Sequence, residues 1–405
     1  MKHGRSIVAA LLGTALLIGS LSGCGSTEPS GGSDGEYQKI NLSMAVNGTD
    51  TQIDSLVAHH FADLVEERSG GNVVIDVFSN DTLAGGNSTK GVEYIAVGGS
   101  DLGAYATCVL ANLEPKMSVA TLPWSFTSYQ QARQVIDTTG GAYYAKLLEA
   151  KGITYLGSFH NGFRQLTNSR QEVRSVEDMK NLKIRVAGSN LLMECYKRWG
   201  ADATNLNWTE TYTALQQNTV EGQENPLPAI DAASVQEVQP YCSMWDAIYD
   251  CLFFCINQDL YDTLTPEQQA VVDECGQKAV EYERYINRSG DEEIMSRWEK
   301  SNGVTFTKKE DMDIDSFKKA VDGVDEWFVK ELEKEGYDDA QELVDLFTQE
   351  STDTVADYSD LNWPEATWNF ACSTTETSTW ADGGRKFGEL MAVSYTHLTL
   401  PTKLE

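Results

Sequence analysis

The sequence predicts an α/β protein in which parallel strands are covered by helices. Three observations lead to this prediction: strand-like and amphipathic helical segments alternate along the chain, the chain has 405 residues, and 41% of them are hydrophobic. A chain of that length divides into two or three domains, at about 100–200 residues for each. The hydrophobic content is typical of a globular protein and is enough for two cores.

The N-terminus predicts export. Lys2 and Arg5 precede an uncharged apolar run over residues 7–18, which is shorter than the roughly 20 residues that span a bilayer. This order is typical of a secretory signal. Leu21-Ser-Gly-Cys24 then resembles a bacterial lipobox, which predicts lipidation of Cys24 and a lipoprotein signal peptide over residues 1–23. The alternative is an ordinary signal peptide with an incidental cysteine.

Residues 24–38 predict a flexible tether, because glycine and serine dominate them. Gly31-x-Ser33-x-Gly35 matches a hydrolase pattern by letter. That pattern carries meaning only between a strand and a helix. Its position in the tether therefore argues against an esterase.

The first part of the folded region alternates between the two patterns. Residues 51–69 follow the i, i+3, i+4, i+7 rhythm of an amphipathic helix, and Gly70-Gly71 ends it. A capping box at residues 127–130 begins another helix. The remaining predicted elements are a helix at 91–97 and strands at 39–47, 73–78, 102–108 and 153–159.

The second part continues the alternation and ends in acidic helices. Thr265-Pro-Glu-Gln268 is a capping box with proline at the first helical position. The helix that it opens runs to about residue 302 and would be ~54 Å long, so we expect it to lie across more than one lobe. The other predictions are a strand at 183–186 and helices at 191–199, 210–217, 229–238, 325–336 and 338–351.

Charge excludes one broad class of function. The 61 acidic side chains outnumber the 31 basic ones, for a net charge of −30. A chain this negative is repelled by phosphate backbones, so nucleic-acid binding is not expected. Adhesion to anionic lipid headgroups is disfavoured for the same reason.

Few residues suggest catalysis or metal binding. The seven cysteines other than Cys24 form no Cys-x-x-Cys and cannot all pair, which predicts buried thiols, with one or two disulfides as the alternative. His60 lies on an apolar helix stripe and is expected in the core. Asp311-x-Asp313-x-Asp315 lacks the glycine and glutamate of a calcium loop. We therefore expect no catalytic residue, no metal and no cofactor.

Residues 160–226 concentrate polar side chains in short segments that read as turns or strand ends. An arginine within an apolar strand, such as Arg185, needs an anion if it is buried. That anion could be a ligand carboxylate, held in a bidentate fork, or one of the many acidic side chains of the chain itself. The segment is typical of a cleft for a small polar ligand, and its other candidate binding residues are Arg164, Trp208, Gln223, Glu224 and Asn225.

The same segment resembles the solute-binding proteins of TRAP (tripartite ATP-independent periplasmic) transporters, the DctP family. The resemblance covers about residues 39–310, and the combined pattern is specific although each piece alone is weak. The matching text is Asn161-Gly-Phe-Arg164, Val176-Glu-Asp-Met-Lys180, Leu182-Lys-Ile-Arg-Val186, Trp199-Gly-Ala201, Glu210-Thr-Tyr-Thr-Ala-Leu-Gln216, Val220-Glu-Gly-Gln-Glu-Asn-Pro226 and Glu237-Val-Gln239.

The resemblance implies a two-lobe, periplasmic-binding-protein-like (Venus flytrap) architecture with a long helix spanning both lobes. Lobe I would comprise residues 39–161 and 250–289, and lobe II residues 162–249 and 290–391. The family's carboxylate-binding arginine matches Arg185, with Arg164 at a second basic position. The other implied ligand contacts are Asn225, Trp208 and, from the opposite lobe, Asn47. Residues 392–405 resemble translated adapter sequence and are predicted to be a non-native tail.

The resemblance also implies the function and the partners. The chain would be an extracytoplasmic receptor, anchored to the cell membrane through Cys24, that binds a small organic acid and delivers it to the membrane subunits of a TRAP permease. Residues 84–88 and 104–107 lack the acidic side chains of some sugar-acid binders, so the choice between a dicarboxylate and a sugar acid stays open. The alternatives are an exported enzyme acting on acidic sugars and a surface lipoprotein without a transport role.

Overall fold

The computed structural model describes residues 39–286 and 290–348. Nine strands lie within these ranges. Each strand is bounded as follows: β1 (Ile40–Val46), β2 (Val73–Phe78), β3 (Leu102–Ala106), β4 (Ile153–Asn168), β5 (Lys183–Val186), β6 (Asp202–Asn205), β7 (Gly222–Asn225), β8 (Tyr241–Asn257) and β9 (Thr305–Thr307).

The helices of the described ranges flank the strands. They are α1 (Ile53–Arg68), α2 (Ser88–Ala96), α3 (Thr107–Leu110), α4 (Tyr129–Ile136), α5 (Thr139–Glu149), α6 (Asn190–Arg198), α7 (Trp208–Gln216), α8 (Leu227–Ala232), α9 (Gln258–Thr263), α10 (Pro266–Ile286), α11 (Gly290–Ser301), α12 (Ile314–Ala320), α13 (Val324–Lys334) and α14 (Ala340–Thr348). Short 3₁₀ segments occur at Thr82–Ala84, Pro115–Thr121, Val176–Met179, Val235–Glu237 and Lys309–Asp311.

All the strands belong to one sheet, in the order β2-β1-β3-β8-β4-β7-β5-β6, with β9 beside β8. It contains two parallel groups, β2-β1-β3 and β7-β5-β6. The long strands β8 and β4 lie between the groups and pair with each other in antiparallel fashion along their whole length. Strand β8 also pairs with β3, and β4 also pairs with β7, so the two long strands join the parallel groups.

The length of β4 corrects the interpretation of Asn161–Arg164 as a turn. These residues continue the strand that was expected to stop at residue 159, and most of β4 is buried. A strand covered on both faces loses the alternation that identifies a strand in a sequence. Gly162 adopts a positive φ of 126° beside a register shift between His160 and Gly162, which glycine tolerates at a bulge.

Other predicted elements are confirmed or need smaller corrections. The strands at 73–78 and 183–186 match β2 and β5. Thr107 and Cys108 begin α3 rather than ending β3. The N-cap of α4 is Ser128, one residue later than predicted. The helix expected at 229–238 divides into α8 and the 3₁₀ turn Val235–Glu237. The short length of these elements explains the shifts, because local propensity leaves boundaries to tertiary packing.

The predicted long helix corresponds to α10 and α11, and residues 287–289 between them lie outside the described residues. The capping box at its start is confirmed, because Thr265 N donates to Gln268 Oε1 (2.9 Å) and Gln268 N donates to Thr265 Oγ1 (3.3 Å). Helix α10 packs on α1 and β4, whereas α11 packs on α8 and β9. The two helices therefore contact opposite parts of the sheet.

Two apolar clusters form the interior of the part of the chain that the structure describes. The larger includes residues of β1, β3, β4, β5 and β8 with α1, α6 and α10. The smaller gathers Trp208, Ile230 and Trp298 from α7, α8 and α11. The six described cysteines are buried and unpaired, which confirms the prediction of buried thiols for Cys108, Cys195, Cys242, Cys251, Cys255 and Cys275. Cys24, Cys372, the tether and the tail lie outside the described residues.

Candidate functional site

A cleft lies where the carboxyl ends of the two parallel groups face each other. Its empty volume is about 570 Å³, counting the part that opens to solvent. Asn47 follows β1, Ala187 follows β5, and Asn225 ends β7, and all three line the cleft. Ligands of open α/β sheets bind at such strand ends, because the loops there converge on one point.

Arg185 contributes an unpaired positive charge to this cleft. Its side chain lies in β5 and is only 4% exposed. Nε donates to the carbonyl of Leu206 (3.0 Å), and no carboxylate of the described ranges forms an ion pair with the guanidinium. Burial lowers the pKa of Arg185 to about 10, and repulsion from Arg164 adds to this effect while Glu224 opposes it. A ligand carboxylate would relieve that unfavourable burial.

Trp208 packs over Arg185 as the first residue of α7. The indole ring lies 5.3 Å from Cζ of Arg185, within the range of a cation–π contact. Its Nε1 donates to Gln52 Oε1 (3.1 Å), so a hydrogen bond to another residue of the cleft wall fixes the ring. Both Trp208 and Gln52 line the cleft.

Arg164 lies in β4 and, unlike Arg185, is neutralised by the protein. It forms ion pairs with Glu224 and, at 2.7 Å, with Asp250. Its Nη2 also donates to Glu224 Oε1 and to the Glu224 carbonyl, each at 3.0 Å. Burial acts to lower the pKa of Arg164, but the two carboxylates outweigh it and hold the pKa above its usual value. Arg164 lines the cleft with its charge already satisfied.

The structure brings five of the seven predicted binding residues into the cleft wall: Arg185, Arg164, Asn225, Trp208 and Asn47. Gln223 and Glu224 lie behind that wall and are fully buried. Gln223 supports Asn225, because its Oε1 accepts from Asn225 Nδ2 (3.1 Å). The roles of all seven in ligand binding stay predictions.

Sequence reasoning missed a polar cluster behind Asn47. Asn47 Nδ2 donates to Asp81 Oδ2 (2.6 Å) and Ser88 Oγ (2.8 Å). Ser88 Oγ and Tyr105 OH each donate to the same Asp81 carboxylate at 2.8 Å. The only signal in the sequence was an aspartate shortly after the strand at 73–78, since the partners are distant along the chain.

Hydrogen bonds cross the cleft between loops of the two groups. Ser88 N donates to Asn207 Oδ1 (3.3 Å), and Thr209 Oγ1 donates to the Gly86 carbonyl (3.0 Å). With the Trp208–Gln52 bond, they join the start of α7 to the start of α2 and to the residue before α1. These three hydrogen bonds therefore bridge the two sides of the cleft near Arg185.

The comparison with protein families decides the assignment. The model for DctP, the bacterial extracellular solute-binding protein family 7, matches residues 42–331. The chain belongs to the DctP family. The prediction of that family from the sequence is confirmed.

Known relatives and structures agree with the DctP assignment. The 2,3-diketo-L-gulonate-binding periplasmic protein YiaO of Escherichia coli is 29% identical over 296 residues, which is 73% of this chain and 88% of that protein. The C4-dicarboxylate-binding protein DctB of Bacillus subtilis is 25% identical over 269 residues, 66% of this chain and 76% of that protein. The sugar acid binding protein DctPAm of Advenella mimigardefordensis, solved with galactonate, is 26% identical with a TM-score of 0.71, covering 77% of this chain and 99% of that one.

This solved structure and that of a TRAP periplasmic solute-binding protein from a Sulfitobacter species, which is 26% identical with a TM-score of 0.71 and covers 76% of this chain and 99% of that one, have a two-lobe fold, which confirms the predicted fold class for this DctP-family chain. The exact lobe boundaries stay a prediction. No helix among residues 39–286 and 290–348 combines the length and apolar character needed to cross a bilayer.

Chemically, the cleft of this DctP-family protein is suited to binding. Glu224, the acid that the enzyme alternative would use, is committed to Arg164. Burial raises the pKa of the Cys108 thiol well above its usual value, so it is not ionised near neutral pH. In the described part of the chain no cluster of histidine, cysteine or acidic side chains could hold a metal ion, and Asp313 instead caps α12 through Ser316 N.

Proposed function

We propose that this DctP-family protein is an extracytoplasmic receptor for a small organic acid, either a dicarboxylate or a sugar acid. The observation that carries the proposal is the buried guanidinium of Arg185, which lines the cleft and has no carboxylate partner among residues 39–286 and 290–348. A buried charge is unfavourable until an anion joins it, and arginine binds carboxylates through two parallel hydrogen bonds. Relatives whose names refer to 2,3-diketo-L-gulonate and C4-dicarboxylates support the same class of ligand.

Ligand binding is proposed to hold the two lobes together. Lobe I would comprise residues 39–161 and 250–289, and lobe II residues 162–249 and 290–391. The contacts of α10 and α11 with opposite parts of the sheet support a long helix that spans both lobes. The closed form would then be the one that the TRAP permease recognises, since a ligand directs delivery only if it favours one conformation over another.

The proposal also covers location. The lipobox-like Leu21-Ser-Gly-Cys24 supports a membrane anchor on Cys24 and a position outside the cytoplasm. Metabolic labelling of the full chain with a radioactive fatty acid tests the anchor. We expect label on the wild-type protein and none on Cys24→Ser, and an unlabelled wild-type protein would reject the anchor.

The function is tested by a thermal-shift screen of the purified protein against organic acids, neutral sugars and amines, followed by calorimetry. We expect one or more acids to raise the melting temperature, because a ligand that binds only the folded state stabilises it. Stabilisation by neutral or cationic compounds alone would reject the proposal. A turnover assay on every stabilising acid should detect no product, and sustained turnover would favour the exported enzyme.

A further inference from the structure

We propose that the cleft accepts one carboxylate together with hydroxyl groups and discriminates against a second carboxylate. In this arrangement Asn47 contacts the ligand and Asp81 is the positioning residue that turns its carbonyl oxygen towards the cleft. This inference rests on the proposed function and narrows it to hydroxylated monocarboxylic acids.

The charges that line the cleft leave room for a single ligand carboxylate. Arg164 and Arg185 are the two cations among the residues that line the cleft. Arg164 already has Glu224 and Asp250 as partners, one carboxylate more than its charge requires. Asp54 also lines the cleft and adds a carboxylate. Of the cleft residues that the structure describes, only Arg185 is free to neutralise a ligand, so a second ligand carboxylate would be desolvated without a counter-charge.

Asn47 is oriented by the hydrogen bonds of its side-chain amide. Its amide nitrogen Nδ2 is committed, because it donates to both Asp81 Oδ2 and Ser88 Oγ. Ser88 accepts here because its own hydroxyl hydrogen goes to Asp81. The group that Asn47 offers to the cleft is therefore its carbonyl oxygen, which takes a hydrogen bond from a hydroxyl but repels a carboxylate.

Two neighbours each add a carbonyl oxygen and a second amide hydrogen to this lining. Asn161 gives an amide hydrogen to Asp250 Oδ2 (2.9 Å), and Asn225 gives one to Gln223 Oε1 (3.1 Å). Neither side-chain oxygen accepts a hydrogen bond from the described part of the chain, and both residues line the cleft. A ligand with several hydroxyl groups satisfies such oxygens, because each hydroxyl both donates and accepts.

The packing around Asp81 holds this orientation in place. Asp81 is fully buried and accepts from Asn47, Ser88 and Tyr105. Burial raises its pKa, and these three hydrogen bonds oppose the rise. A Cβ atom at Gly91 would lie 2.1 Å from the Tyr105 hydroxyl, so only glycine at that helical position leaves room for the Tyr105–Asp81 contact.

The test compares acids of matched length by calorimetry on the wild-type protein. The six-carbon set is galactonate, galactarate, hexanoate, adipate and 6-aminohexanoate, and the four-carbon set is threonate, tartrate, butyrate, succinate and 4-aminobutyrate. In at least one set we expect the hydroxylated monocarboxylate to bind at least tenfold more tightly than its four partners. Equal or tighter binding of a dicarboxylate, an unhydroxylated acid or an amino acid in both sets would overturn the inference while leaving an acid receptor intact. If no acid of either set binds, the inference fails, and the proposed function fails with it only if the thermal-shift screen also finds no stabilising acid.

A variant separates the positioning role of Asp81 from a structural role. In Asp81→Asn the new amide can donate to the Asn47 carbonyl, which turns the Asn47 amide hydrogens towards the cleft. The ratio of monocarboxylate to dicarboxylate affinity should fall by at least tenfold, whereas general loosening would weaken both ligands alike and leave the ratio unchanged. An unchanged ratio would overturn the role of Asp81. If Asp81→Asn unfolds, Ser88→Ala frees one Asn47 hydrogen and should shift the ratio in the same direction.

Discussion

Replacing Arg185 with methionine should weaken ligand binding and raise the free energy of unfolding of the ligand-free protein. Leaving a bound carboxylate without its arginine removes about 2–5 kcal/mol of binding free energy. At about 1.4 kcal/mol per tenfold change, the affinity should fall by about 30- to 4,000-fold.

The stability of the ligand-free protein should change in the opposite direction. The pKa of Arg185, lowered from 12.5 to about 10, corresponds to a penalty of about 3 kcal/mol for burying the charge. Part of this gain is offset in the variant, because the lost hydrogen bond to Leu206 costs about 1 kcal/mol of stability. The lost contact with Trp208 costs about a further 0.5–1 kcal/mol. The free energy of unfolding should therefore rise by about 1–2 kcal/mol.

Two measurements check this opposite pair of effects. Calorimetry with the acid found by screening gives the affinity, and urea unfolding of the ligand-free protein gives the stability. Arg170→Met is the matched control, because Arg170 has a 46% exposed side chain 3.7 Å from Glu221 and lies outside the cleft lining; the control should change neither quantity appreciably. An Arg185→Met protein with wild-type affinity, or one destabilised by several kcal/mol, would refute the reasoning and make Arg185 a structural residue.

Three further outcomes are expected. Glu224→Gln should lower the free energy of unfolding in urea by about 3 kcal/mol, at the low end for a broken buried pair because Arg164 keeps Asp250; an unchanged midpoint would contradict the buried ion pair. The carboxyl carbon of Asp54 should titrate by NMR near pH 6, since burial raises its pKa from 3.8 to about 6, and not near pH 4. Because the folded state then holds that proton more tightly than the unfolded state, the contribution of this group to stability should fall by about 3 kcal/mol as the pH rises from about 4 to 6. Thr209→Val removes the bond to the Gly86 carbonyl and should speed ligand dissociation by about 2- to 10-fold in stopped-flow measurements, whereas an unchanged rate would show that this bond does not hold the cleft closed.

The sequence predicted the order of elements well and the long strands poorly. Alternating patterns identified β2 and β5, because short strands bounded by turn residues leave a clear local signal. The continuous strand through Asn161 to Arg164 was missed, because the dipeptide Asn-Gly is common in turns and nothing local shows that it lies in a strand buried on both faces. Its extended conformation depends on β8, which lies far along the chain.

The two arginines show where prediction of the site reached its limit. In a chain with 61 acidic residues, either arginine could have formed an ion pair with a carboxylate of the protein itself. The resemblance placed Arg164 and Arg185 together as basic ligand contacts, and only the fold distinguishes them, since Glu224 and Asp250 surround one and neither reaches the other. The hydrogen-bonding role of Asp81 was not predicted for a similar reason. Its partners Asn47, Ser88 and Tyr105 come from three separate segments of the chain.

The pairing of β4 with β8 has a consequence for how the chain folds. Ile153 pairs with Asn257, and Asn168 pairs with Tyr241, so the centre of the sheet closes only after a long intervening segment has been synthesised. Contacts between such distant positions carry a high loop-closure entropy and slow the search for the native state. The parallel group β2-β1-β3 meanwhile has an unpaired edge until β8 arrives, and such edges promote aggregation. Neither half of the molecule is thus expected to fold by itself, and expression of residues 39–161 alone should give insoluble protein.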